Sequence, residues 1–177
     1  MGAGKTTVGS LLARRLNFQF LDADQVLEAR TGASVATIFE VEGEKAFRAR
    51  EEQLIDELTQ LPKVVLATGG GVVGSITSRE HLKKRGIVVY LHATAHTSFA
   101  RVRKSRDRPL LLAANPLETL LNLYQARHPL YLECATYVVE SHRDRPGLVV
   151  QEVVSLIARE YDETQGGCDA DFPRNQR

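Results

Sequence analysis

The chain opens MGAGKTTVGS, and Gly2 to Thr7 carry the second half of a phosphate-binding loop of pattern G-x-x-x-x-G-K-[ST]. Gly2 and Gly4 let the backbone curl around phosphate oxygens, Lys5 brings a point charge to them, and Thr6 offers a hydroxyl to Mg²⁺ at the positive end of a following helix. The stretch LDAD then places Asp22 and Asp24 two residues apart at the end of an apolar run. Two such carboxylates can divide labour, one orienting hydrated Mg²⁺ and the other accepting a proton from an attacking hydroxyl. Further on, ATGGGV ends an apolar run in Gly69, Gly70 and Gly71, which costs backbone entropy and points to a close approach of the backbone to something. Arg48 and Glu51 are three apart and can pair, fixing Arg48 for bidentate binding of a carboxylate, while Arg101, Arg108 and Arg127 are further anion-binding candidates. The chemistry these residues suit is phosphoryl transfer to an anionic acceptor, with an arginine on a closing loop to stabilise the moving charge.

Each feature also has a plainer use. Aspartates cap helices, an exposed Arg–Glu pair is an ordinary surface salt bridge, three glycines make a tight turn, and Gly and Thr can cap an N-terminal helix without any ligand.

To converge, these residues need a scaffold, and the sequence indicates one. Apolar runs occur at FQFLD (18–22), KVVLATGGG (63–71), GIVVYLH (86–92) and TYVVES (136–141). The middle two are nearly continuous in Val, Ile and Leu, as in parallel strands covered on both faces. Helical patterns separate them. Val8, Leu11, Leu12 and Leu16 mark a helix starting at the GKTT segment, and Phe47, Leu54, Ile55 and Leu58 a longer charged one. Two more begin at Pro116 and Pro146. Alternation of this kind predicts an open α/β sheet whose ligands bind beyond the carboxyl ends of the strands. The segment 103–116, RKSRDRPLLLAANP, is basic and irregular and is expected to be a mobile flap; the tail from Asp162, DETQGGCDADFPRNQR, is expected to be disordered.

Bulk properties narrow the class. The 177 residues suit a single domain, and 43% hydrophobic with 25% charged residues is ordinary for a globular protein. The net charge of +1 gives no reason to expect nucleic acid or a membrane surface as partner. Cys134 and Cys168 match no zinc pattern and are too few for a disulfide framework, and the five histidines show no metal spacing, so they are read as structural or surface residues. The chain has no membrane-length apolar run and no signal-peptide layout, which places it by expectation in the cytoplasm.

Taken in order, GAGKTT, L-D-A-D, F-R-A-R-E, T-G-G-G, R-P-L-L and A-R-x-P-L-Y resemble the shikimate kinase family, from Met1 to about Arg159. The resemblance implies a three-layer P-loop fold: a central parallel sheet, five-stranded in the family, flanked by helices, with a substrate-binding helical region at 23–60 and a lid at 103–116. It implies a monomeric kinase that uses ATP and Mg²⁺ to phosphorylate the 3-hydroxyl of shikimate. Residue by residue, Gly2, Ala3, Gly4, Lys5, Thr6 and Thr7 would hold the phosphates, Thr6 and Asp22 the metal, and Asp24 the substrate hydroxyls as base. Arg48 and Arg127 would clamp the carboxylate, Gly69 to Gly71 would pack on the ring, Arg108 would reach the transferring phosphates, and Arg101 and Arg143 the nucleotide. The loop pattern's first glycine and its feeding strand would lie before Met1, so the natural product is expected to be roughly ten residues longer, about one strand plus a short lead. Two other readings fit the residues: a kinase of another small polyol acid such as gluconate, and a kinase-like binding protein without turnover.

Overall fold

The computed structural model describes residues 2–102, 115–142 and 145–164. Arg108, Arg143 and nearly all of the expected lid lie outside the described residues, as do Met1 and positions 165–177.

The predicted strands form where the apolar runs stand: β1 (Gln19–Asp22), β2 (Val64–Ala67), β3 (Val89–His92) and β4 (Tyr137–Glu140). They pair in parallel, β1 with β2 in the register Gln19 to Val64 and β3 with β4 in the register Val89 to Tyr137. Among the described residues no ladder joins the two pairs. One apolar cluster nonetheless spans both. Val8 and Leu12 of α1 (Lys5–Leu16) and Val149, Val150 and Val153 of α7 (Pro146–Thr164) pack with Val65, Val89, Leu91 and Val139. A second cluster covers the opposite side: Leu27 of α2 (Ala23–Thr31) and Phe47, Leu54, Ile55 and Leu58 of α3 (Val35–Leu58) pack with Leu21, Leu66, Val72 and Val73. The result is helix, strand and helix in three layers, the α/β arrangement expected from the alternation of elements.

The helices begin and end for local reasons. Gly4, at φ 80°, turns the chain into α1, and Asn17, at φ 55°, closes it with its N–H on the Ala13 and Arg14 carbonyls. Asp22 caps α2 by accepting from the Asp24 N–H, and Ser34 caps α3 through the Thr37 N–H. Gly43, at φ 82° and ψ 168°, breaks α3, a kink that apolar periodicity alone did not indicate. Phe39 and Phe47 stack across the break with ring centroids 4.3 Å apart. After β2 a short 3₁₀ turn (Val72–Gly74) leads to α4 (Ile76–Arg85), and β3 leads to α5 (Ala95–Val102). Pro116 starts α6 (Pro116–Cys134) behind an Asn115 cap, as expected from its fixed φ. The last helix, α7, continues to Thr164, past the expected domain end at 161. No helix among the described residues is long and apolar enough to cross a membrane.

Candidate active site

The phosphate-loop residues stand at the start of α1, and the other described candidates lie at or just beyond the ends of β1 and β2 or on α3, α5 and α6. Gly2 and Gly4 have φ of 71° and 80°, and Ala3 between them is not in the positive region. Such an alternation brings successive N–H groups to one side, as in anion-binding nests. Lys5, Thr6 and Thr7 follow in the first turn of α1, where the helix dipole also favours an anion.

Asp22 joins this loop to α2. Its Oδ2 accepts from the Thr6 hydroxyl at 2.9 Å, and its Oδ1 accepts from the Asp24 N–H at 3.2 Å. The carboxylate therefore serves as a helix cap and as a partner of the loop at once, so the plain and the functional reading of this aspartate both hold. A hydroxyl and a carboxylate this close are hard oxygen donors of the kind Mg²⁺ prefers, and Mg²⁺ completes its shell with waters and phosphates. Among the described residues no cluster of three or more His, Cys, Asp or Glu could hold a metal.

The Arg48–Glu51 pair is not a solvated surface bridge. Glu51 has a side chain only 6% exposed and accepts from Arg48 Nη1 at 2.6 Å, while Glu44 takes Nε and Nη2 at 3.4 and 3.3 Å. The guanidinium also lies over Phe47 and Phe39, 5.2 and 5.6 Å from the ring centroids. Burial pushes the Glu51 carboxyl above its ordinary value of 4.5; hydrogen bonding and charge from Arg48 act against this, Asp24 adds to it, and Arg127 opposes it. Asp24, Arg48, Glu51 and Arg127 therefore share one electrostatic neighbourhood.

The glycines explain how they fit. A methyl carbon at Gly69 would lie 2.7 Å from Glu51 Oε1 and 3.1 Å from Asp24 Oδ1, and one at Gly71 would lie 2.2 Å from Arg48 Nη1. What the backbone approaches so closely is the charged cluster itself. Gly70 is held from the other side, its carbonyl accepting from the Tyr131 hydroxyl at 2.5 Å. Tyr131 stands one helical turn after Arg127 on α6 and interacts with it. Its role was not anticipated, although the R-x-P-L-Y spacing puts both residues on one face. Behind Tyr131, Tyr90 stacks at 4.8 Å and its hydroxyl shares a hydrogen bond with His128 Nδ1 at 3.1 Å, while His92 joins Tyr124 and Glu140 at 3.0 and 2.6 Å. Burial, with Tyr124, Tyr131 and Glu140 nearby, pushes the Tyr90 phenol up to about 12. His92 and His128 thus belong to a network of rings and hydrogen bonds behind Tyr131.

A cavity of about 140 Å³ with a largely apolar wall also takes in Ala3, Lys5, Gly69, Gly70 and Arg127. Arg101 takes a different position from the cavity residues. Its Nη1 donates to the Gly2 carbonyl at 3.0 Å and to Ser141 Oγ at 2.8 Å, and its Nη2 to the Ser141 carbonyl at 2.8 Å. Ser141 was not singled out in the sequence, because only the fold brings it against the loop.

The chain is similar to known proteins. The family model described as shikimate kinase matches residues 1–158. A shikimate kinase of Aromatoleum aromaticum is 49% identical over 164 residues, covering 93% of this chain and 94% of the relative. One of Burkholderia thailandensis is 54% identical over 143 residues, covering 81% and 78%. Among solved structures, the shikimate kinase of Acinetobacter baumannii in complex with shikimate superposes with a TM-score of 0.87 at 44% identity, covering 90% of this chain and 89% of that one. The enzyme of Aquifex aeolicus gives 0.78 at 35% identity, covering 94% and 95%.

Proposed function

The chain belongs to the shikimate kinase family, and from that premise we infer how its residues divide the work of moving the γ-phosphoryl of ATP to the 3-hydroxyl of shikimate. It is an ATP-dependent small-molecule kinase. The observation that carries the division of roles is the shared cavity: Ala3 and Lys5 of the phosphate loop open onto the same space as Gly69, Gly70 and Arg127. Residues assigned to the two substrates thus border one space.

Phosphoryl transfer asks a protein mainly for positioning and charge neutralisation. Lys5 and the loop N–H groups receive the β- and γ-phosphates. Thr6 and Asp22 are the oxygen donors for Mg²⁺, which when bound neutralises charge on the phosphates. Asp24, fixed by the Asp22 cap, accepts the proton of the attacking hydroxyl. Arg48 and Arg127 take the shikimate carboxylate, and Glu51 holds Arg48 in the orientation a bidentate contact needs. Gly69 to Gly71 leave room for the sugar-like ring. Arg108, Arg101 and Arg143 keep the phosphate and nucleotide roles that the family pattern assigns them.

The favoured acceptor is shikimate, not gluconate, because the paired arginines and the glycine loop match the contacts its carboxylate and ring require. A coupled assay with ATP and Mg²⁺ tests this directly: turnover with shikimate and none with gluconate is expected, and turnover with gluconate alone overturns the reading. Arg127→Ala gives the finer test, raising the shikimate Kd while leaving the ATP Kd in place; an unchanged shikimate Kd removes the clamp.

A further inference from the structure

We propose that Ser141 is a positioning residue for ATP, pinning the back of the phosphate loop to the end of β4 so that the loop's N–H groups face the nucleotide. The inference rests on the reading of Gly2 to Thr7 as the phosphate loop and adds a residue from the far end of the chain.

Ser141 follows the last residue of β4, and its N–H donates to the His92 carbonyl at 2.8 Å, extending the β3–β4 pairing by one step. From that fixed base its hydroxyl donates to the Ala3 carbonyl at 2.7 Å and accepts from Arg101 Nη1 at 2.8 Å. The same Arg101 nitrogen donates to the Gly2 carbonyl at 3.0 Å, and Nη2 returns to the Ser141 carbonyl at 2.8 Å. Two consecutive carbonyls of the loop are therefore held by one serine and one guanidinium, on strand and helix ends distant in sequence.

The consequence follows from peptide geometry. None of the described peptide bonds is cis, and in a trans peptide the C=O and N–H point in opposite directions. Turning the Gly2 carbonyl toward Arg101 turns the Ala3 N–H away from it, and turning the Ala3 carbonyl toward Ser141 does the same for the Gly4 N–H. Those are the amides that an anion-binding loop must present, and the positive φ of Gly2 and Gly4 is what lets both peptides adopt this orientation. Without the Ser141 hydroxyl the Ala3 carbonyl loses its partner and the peptide between Ala3 and Gly4 is free to rotate. Preorganisation for phosphate is then lost, while the shikimate end of the cavity is untouched.

The test is calorimetric binding of ATP, ADP and shikimate to the full chain and to Ser141→Ala, Ser141→Cys and Ser141→Thr. In the alanine and cysteine variants the ATP and ADP Kd should rise about fivefold, the worth of one neutral hydrogen bond. The shikimate Kd should stay within twofold, and Ser141→Thr, which keeps the hydroxyl, should bind nucleotide like the parent. Unchanged nucleotide binding in Ser141→Ala, a parallel loss of shikimate binding, or the same loss in Ser141→Thr overturns the proposal. The cysteine variant preserves side-chain volume and serves if the alanine variant does not fold. Lys5→Ala separates the two layers of the argument. If it leaves ATP binding intact, the loop itself is misread and the brace falls with it; if it abolishes ATP binding while Ser141→Ala does not weaken it, only the brace is wrong.

Discussion

An alanine at position 71 would place its methyl carbon 2.2 Å from Nη1 of Arg48 and 2.5 Å from both Cζ and Nη2. Gly71 has φ −91° and ψ −15°, a conformation open to any residue, so the backbone has no objection to the change. The three nearest atoms all belong to the end of one arginine, which can swing aside. Swinging aside separates Arg48 from Glu51, from the Phe39 and Phe47 rings and from the position where it meets a substrate carboxylate. A hydrogen bond to a charged group contributes roughly 1.5–3 kcal/mol, which corresponds to a rise of roughly ten- to hundredfold in the shikimate Kd or KM. The ATP KM should remain within about twofold, since the groups that hold Arg48 are Glu44 and Glu51 of its own helix and the Phe39 and Phe47 rings, away from the phosphate loop's own turn. Circular dichroism should show a folded chain. The assay is steady-state kinetics with each substrate varied in turn. A folded Gly71→Ala protein with the parent's shikimate KM would mean that the guanidinium is not needed where the structure holds it, and the carboxylate clamp would be wrong.

Other outcomes follow from the same site. Asp24→Asn should lower kcat by about 10²–10⁴ with the ATP Kd retained, and a kcat within tenfold of the parent would remove Asp24 as base. Tyr131→Phe deletes the bond to the Gly70 carbonyl together with the hydroxyl's contact with Arg127 and should raise the shikimate KM by about fivefold with little effect on ATP, which kinetics on both substrates checks. Glu51 supplies a pH signature. Its pKa is raised on folding, chiefly by burial, so the folded chain holds that proton more tightly than the unfolded one. Its contribution to stability is then fully present below the unfolded value of 4.5 and is lost as pH rises through the higher folded value. Glu51→Gln removes this contribution, so urea midpoints of the variant should gain on the parent's from acid to neutral pH; the opposite trend would contradict the assigned shift.

The scaffold was readable because its signals are local. Each of the four apolar runs contains one strand, although the run 63–71 extends four residues past the end of β2 and the run 86–92 starts three residues before β3; the GKTT helix began where its cap and spacing put it, and Pro116 and Pro146 opened helices as a fixed φ predicts. The triple glycine was readable as a close approach but not as an approach to what. Glu51, Asp24 and Arg48 meet Gly69 and Gly71 only after α3 has packed beside β2, a contact that no periodicity encodes. The kink at Gly43 was invisible for a related reason. A lone glycine inside a helical pattern is compatible with a straight helix, and the stacked Phe39 and Phe47 that stabilise the bend lie on either side of it. Ser141 and Tyr131 were missed because their partners, Ala3 and Gly70, are 138 and 61 residues away.

The two oxygens of Asp22 are already assigned, one to the Thr6 hydroxyl and one to the Asp24 N–H. That division bears on ion selectivity. A small cation satisfied with a single carboxylate oxygen can be accommodated on the Oδ2 side without disturbing the start of α2, whereas a larger one that takes a carboxylate through both oxygens, as Ca²⁺ commonly does, must strip Oδ1 from its N–H. The backbone N–H then left without its cap is that of Asp24, the proposed base. An ion of the wrong size would bind at the cost of the proton acceptor, so discrimination against it would be enforced at the chemical step even where affinity alone did not provide it.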